Sequence, residues 1–222
     1  MDSTGQDAFI QDIAARFRRP WHRDYARAKL RFDPAYAAVA SLIARRREAV
    51  LDIGCGLGLL GFYLLERGFA GSYRGVDFDT AKIAEARRIA GCIDAALVFD
   101  DGDASALPAF SGHVVLLDVL HYLPAAAQRG LLQEAAARVA PGALLIVRNV
   151  LRERGWRFVA TVIEERLLHA VRWMRSPARH FPERTEIETP LRAAGLVVET
   201  QPLWGRTPFN SFLIVATRVA GR

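Results

Sequence analysis

A chain of 222 residues, 51% hydrophobic and 24% charged, suits one ordinary soluble domain with a sizeable core. The acidic, polar start Met1–Asp7 lacks a signal-peptide pattern, no apolar run reaches the roughly 18 residues of a membrane span, and two cysteines make no disulfide framework, so a cytoplasmic setting is expected. The net charge of +6 comes from arginines spread along the chain among acids, with Lys29 and Lys82 the sole lysines. That pattern reads as solvated faces rather than a nucleic-acid stripe.

Phe9, Ile10, Ile13 and Phe17 fall at helical spacing within 8–19, and Pro20 interrupts them. A second helix is predicted over 22–31, with Tyr25 and Lys29 on one face. Asp33-Pro34 starts a third over 35–45. Residues 1–48 thus form a helical cap or packing segment, and 49–222 the core of a single domain. From Ala49 strands and helices alternate. Strands are predicted at 49–53, 72–77, 96–99, 114–117 and 143–147, with helices at 58–67, 80–90 and 125–139. Residues 156–175 follow as a long helix with Val159, Val162, Ile163, Leu167, Val171 and Met174 on one face. After a helix over 186–194, strands 196–200 and 212–217 have no helix between them and so form an antiparallel hairpin. The fold class is α/β: a Rossmann-like, seven-stranded, mostly parallel sheet with helices on both faces.

The chemistry centres on Val50-Leu51-Asp52-Ile53-Gly54-Cys55-Gly56-Leu57-Gly58-Leu59-Leu60-Gly61. An apolar strand runs into a glycine-spaced turn and then a helix, which together cradle a ligand. Asp77, ending the second strand, can accept hydrogen bonds from ribose hydroxyls, which any adenosine cofactor supplies. Nicotinamide cofactors and S-adenosylmethionine both satisfy this much. Asp52 distinguishes them, because a pyrophosphate has no use for a nearby carboxylate whereas an ammonium does. Asp103 after the third strand is placed to read an adenine amino group, and the terminal hairpin is not a usual dinucleotide-domain ending.

At these residues the chain resembles the class I S-adenosylmethionine-dependent methyltransferases. Leu51–Gly58 is similar to their first motif, Val76-Asp77 to the end of their second strand, and Gly102-Asp103-Ala104 to their adenine-contacting segment. Leu117–Pro124 matches their fourth-strand motif, and Pro141–Leu144 the approach to the fifth strand. The resemblance implies that Gly54, Gly56 and Gly58 meet the cofactor's methionine portion, that Asp77 holds the ribose, and that Asp103 and Ala104 meet the adenine. It places Asp118 beside the sulfonium and lets Asp52 orient the loop, with Cys55, Phe78 and Val119 completing the set. Gly61 reads as helix–strand packing. Short stretches, Arg19-Pro20-Trp21 and Leu203–Phe209, also look like those of bacterial aryl-polyene or pigment-pathway methyltransferases.

Methyl transfer needs alignment and water exclusion, plus a base only where the acceptor must lose a proton. His121 is the candidate base or a lining residue, and Tyr122 can serve in either role. Tyr25, Lys29, Arg148, Trp156, Trp204, Arg206 and Phe209 are the candidate substrate residues, and they suit a flat or apolar small molecule. His22, His113 and His169 show no ligand spacing, so no metal is expected. The alternatives are a nucleic-acid methyltransferase, opposed by Asp118-Val119-Leu120-His121 standing where amino-methylating enzymes carry Asn/Asp-Pro-Pro-aromatic, a nicotinamide oxidoreductase, and a non-catalytic cofactor-binding protein.

Overall fold

The computed structural model describes residues 3–44, 46–93, 96–103, 106–170, 177–205 and 207–219. Contacts divide the chain into two units, 1–103 and 104–222. The first unit begins with helices α1 (Ser3–Ala15), α2 (Pro20–Phe32) and α3 (Ala35–Ile43). Pro20 stands in the first turn of α2, where its missing N–H costs nothing. Strand β1 (Val50–Ile53), helix α4 (Leu59–Glu66), strand β2 (Tyr73–Asp77), helix α5 (Thr80–Ala90) and strand β3 (Leu97–Asp101) follow. β1 pairs with β2, and β2 with β3, all parallel, so their carboxyl ends share one edge.

The helices before β1 pack on the helices of the sheet. Phe9 meets Tyr63 edge-on at 5.1 Å and Phe17 meets Phe62 at 6.2 Å. Ile10, Ile13 and Phe17 are buried, each worth about 1.5–3 kcal/mol of transfer free energy. The Arg18 N–H donates to Glu85 and the Arg88 guanidinium to the Arg16 carbonyl, fastening the same segment to α5. α5 starts where the sequence predicts, because the Asp79 carboxylate accepts from the Ala81 and Lys82 N–H groups.

The second unit contains β4 (His113–Leu117), a short 3₁₀ turn (Leu120–Tyr122), α6 (Ala125–Ala137), β5 (Leu144–Val150), α7 (Trp156–Ala170), α8 (Arg184–Ala193), β6 (Leu196–Pro202) and β7 (Ser211–Arg218). β4 and β5 are parallel, while β7 runs antiparallel to both β5 and β6. The strand order is β3-β2-β1-β4-β5-β7-β6, the expected seven-stranded, mostly parallel sheet with its antiparallel ending.

Two features depart from the sequence reading. β5 runs on to Val150 rather than stopping at Val147, and all seven of its residues are buried. The polar Arg148 and Asn149 stay in the strand because partners flank it on both sides. Helix α7 leaves two residues of the predicted apolar face open: Val159 and Ile163 are 56% and 54% exposed, while Thr161 is buried. The Thr161 hydroxyl accepts from the Asn210 N–H at 2.9 Å and donates to the Arg157 carbonyl, which outweighs the apolar stripe in orienting the helix. Of the remaining predicted stripe, Val162 is half-buried, and the Leu167 side chain, Val171 and Met174 lie outside what is described. No helix among the described residues is long and apolar enough to cross a membrane.

Candidate functional sites in the two units

In the first unit the turn after β1 is built on positive-φ glycines, Gly54 (77°), Gly56 (55°) and Gly58 (73°). Four of its N–H groups are taken up within the protein. Those of Gly54 and Cys55 donate to the Val76 carbonyl at 2.7 and 3.1 Å, that of Gly56 to the Asp77 carboxylate at 2.8 Å, and that of Gly58 to the Cys55 carbonyl at 2.9 Å. These four amides are therefore not available as an anion nest. A Cβ on Gly58 would lie 2.5 Å from the Phe99 ring, whereas one on Gly56 would meet only the Lys82 Cδ at 4.0 Å. Gly58 is thus glycine for packing as well as conformation, and Gly56 faces open space.

Asp77 accepts from Gly56 with one oxygen and from the Asp79 N–H with the other. A carboxylate has about four acceptor positions, so lone pairs remain for hydroxyls. Phe78 next to it is 64% exposed, an apolar ring open to a flat base. Asp52 is buried and accepts from the Tyr73 hydroxyl. Burial pushes its carboxyl up to about 7, with the Tyr73 bond opposing and Asp77 adding to the rise. Tyr73 itself lies where a Cβ on Gly61 would come within 2.7 Å of its ring. Gly61 therefore acts through packing, by making room for the phenol that holds Asp52. A Cβ on Gly75 would meet the Cys55 sulfur at 2.7 Å, and burial raises the Cys55 thiol well above its ordinary range. That thiol packs over the strand and is a poor nucleophile.

These features fit S-adenosylmethionine. Ribose hydroxyls match Asp77, a flat adenine matches Phe78, and a cationic amino group matches buried Asp52, with Gly56 open on the same turn. Asp103 lies just past β3, and Ala104 is outside the described residues. Tyr25 is half-buried and Lys29 pairs with Asp33 at 2.9 Å within α2 and its end.

In the second unit Asp118 follows β4 at φ 61°, a left-handed conformation uncommon outside glycine. It forms an ion pair with Arg148 of β5, so this predicted substrate arginine neutralises a neighbouring acid. Val119 leads into the 3₁₀ turn, on which His121 is 1% exposed. His121 Nδ1 lies 3.0 Å from Asn149 Oδ1, and Asn149 Nδ2 donates to the Val150 carbonyl at 2.8 Å. The His121 ring stacks on Phe181 at 5.7 Å and 12°, with Tyr122 at 4.1 Å, and Phe158 meets Phe181 edge-on. The His121 carbonyl accepts from the N–H groups of Arg179 and His180, which hold the Phe181 segment in place.

Trp156 and Trp204 come together, but around a residue the sequence reading passed over. The Arg157 guanidinium sits 4.8 Å from the Trp156 ring and 4.5 Å from that of Trp204, and it donates to the Thr207 carbonyl. Trp156 is 66% exposed. Phe209 is half-buried, and Arg206 lies outside the described residues. Phe181, Tyr73 and Arg157 are the partners missed, as is the pairing of Asn149 with His121. Asn149 carried a signal, as a polar residue ending an apolar strand run, and Gly75 another, as a glycine inside a strand. No cluster of metal ligands occurs among the described residues.

Residues 50–142 match the family described as a methyltransferase domain. No curated protein matches the chain. Among solved structures, an O-methyltransferase family protein from Burkholderia thailandensis shares 22% identity at a TM-score of 0.70, over 97% of this chain and 64% of that one. The magnesium protoporphyrin IX methyltransferase of Synechocystis PCC 6803, with S-adenosylhomocysteine bound, shares 20% identity at 0.67, over 98% and 100%. A pyocyanin biosynthetic protein shares 20% at 0.68, over 95% and 62%. The chain thus spans under two thirds of the length of the Burkholderia and pyocyanin proteins.

Proposed function

We propose that this chain, whose residues 50–142 match the methyltransferase-domain family and whose fold is shared with methyltransferases of known structure, is an S-adenosylmethionine-dependent enzyme that transfers a methyl group to a small aromatic or apolar molecule. The observation that carries the reading is the glycine turn. Four of its amides are engaged internally, an exposed Phe78 stands beside Asp77, and the buried Asp52 precedes the turn in β1. This arrangement favours an adenosine bearing a cation over a dinucleotide. The names of the structural relatives, an O-methyltransferase, a porphyrin methyltransferase and a pyocyanin enzyme, support a small acceptor.

When bound, S-adenosylmethionine supplies an electrophilic methyl on a sulfonium. Asp77 and Phe78 would hold its adenosine, with Asp103 at the adenine, and Asp52 would attract its amino group. In the second unit Phe181 and Tyr122 pack on His121, with Phe158 behind Phe181, an apolar surface that would exclude water and receive a flat acceptor. His121 accepts the acceptor's proton, a contribution of about 10²–10⁴-fold. His121 is 1% exposed, so an acceptor reaches it by displacing part of this apolar surface. Alignment provides most of the remaining rate.

The test is transfer of a labelled methyl group from S-adenosylmethionine by the purified protein to a panel of phenols, aromatic acids and fatty acids, with RNA alongside. Labelling of a small molecule and not RNA is expected. Labelling of RNA alone overturns the reading.

A further inference from the structure

We infer that Asn149 is a positioning residue, fixing His121 in the tautomer that carries its proton on Nδ1 and presents Nε2 as the accepting nitrogen. The inference deepens the reading above, on which its catalytic meaning rests. It follows from a chain of groups that each have one option. The Val150 carbonyl can only accept, and it takes the Asn149 Nδ2 hydrogen at 2.8 Å. That sets the side-chain amide, because the reversed amide would turn Oδ1 against another carbonyl oxygen. Asn149 Oδ1 can in turn only accept, so His121 Nδ1, 3.0 Å away, must donate. The neutral ring then bears its lone pair on Nε2.

The geometry is stiff. Asn149 is fully buried within β5, paired opposite Phe212 of β7, and His121 is 1% exposed. Stacking on Phe181 and the backbone bonds from Arg179 and His180 limit rotation of the 3₁₀ turn that carries it. A neutral amide orders the ring without adding charge. Nearby, Arg148 of β5 forms an ion pair with Asp118, which follows β4.

The experiment is nitrogen-15 NMR of histidine-labelled protein at a pH where the imidazole is neutral, with His121→Gln to assign its signals. The wild-type ring should show a protonated Nδ1 and an unprotonated Nε2. Asn149→Asp, which keeps an accepting oxygen, should retain that pattern. Asn149→Leu, which removes it, should give a mixed or reversed tautomer. A proton on Nε2 in the wild type, or a pattern unmoved in Asn149→Leu, overturns the inference. If Asn149→Leu does not fold, the wild-type and Asn149→Asp spectra decide. Methyl transfer by His121→Gln to the phenol panel separates the two readings. Unchanged turnover removes His121 as base while leaving the tautomer assignment standing.

Discussion

Replacing Gly58 with alanine tests the glycine turn where conformation and packing act together. At φ 73° an alanine is left-handed, which costs about 1–2 kcal/mol. Its Cβ would stand 2.5 Å from the Phe99 ring and 3.3 Å from the Ala86 Cβ, and Phe99 is buried against Phe62 and Tyr73. Relief therefore means repacking a ring cluster, at about 1–3 kcal/mol. The sum is about 2–5 kcal/mol. At roughly 2–4 °C per kcal/mol for a chain of this size, Tm should fall by roughly 5–20 °C. Gly56→Ala is the control: it bears the conformational cost alone, since only Lys82 Cδ approaches, at 4.0 Å, and it should lose clearly less stability. Urea unfolding of both variants gives the comparison. Gly58→Ala within about 1 kcal/mol of wild type, or Gly56→Ala as damaging as Gly58→Ala, would refute the reasoning.

Other outcomes follow from the same geometry. The Asp52 carboxyl is raised to about 7 by burial, so the folded state holds a proton that the unfolded chain releases near pH 4. Its contribution to stability is full below about pH 4 and lost as pH rises to about 7. Asp52→Asn should flatten that slope in denaturant titrations, and an unchanged slope counts against the buried acid. For the same reason S-adenosylhomocysteine should bind more tightly at pH 8 than at pH 6, with the difference lost in Asp52→Asn, as read by calorimetry. Thr161→Val should cost about 1–3 kcal/mol, because the buried Asn210 N–H loses its acceptor, and proteolysis should then cut more readily between β6 and β7. Arg148→Met should cost about 1–3 kcal/mol in thermal unfolding by leaving Asp118, at left-handed φ, without its counter-charge.

The sheet was legible because its strands are apolar runs bounded by glycine and acid signals, and α5 because Asp79 caps it. Less legible was whatever depends on a partner distant in sequence. Arg148 and Asn149 resemble loop residues until β4 and β7 are placed on either side, after which one neutralises Asp118 and the other orders His121. Helix α7 shows the converse. Its apolar spacing is real, yet the Thr161–Asn210 hydrogen bond sets its rotation and leaves Val159 and Ile163 exposed. Periodicity reports a surface that can be buried, and the buried polar bond decides which surface is. In the glycine turn, the residues were readable but the engagement of their amides by Val76, Asp77 and Cys55 was not, because it depends on the register of β1 on β2.

The most direct measurement is equilibrium binding of S-adenosylhomocysteine and NAD to the same preparation by calorimetry, with Asp77→Ala in parallel. Saturable binding of S-adenosylhomocysteine, at least tenfold weakening in Asp77→Ala, and no binding of NAD are expected. Binding of NAD with no heat from S-adenosylhomocysteine would contradict it.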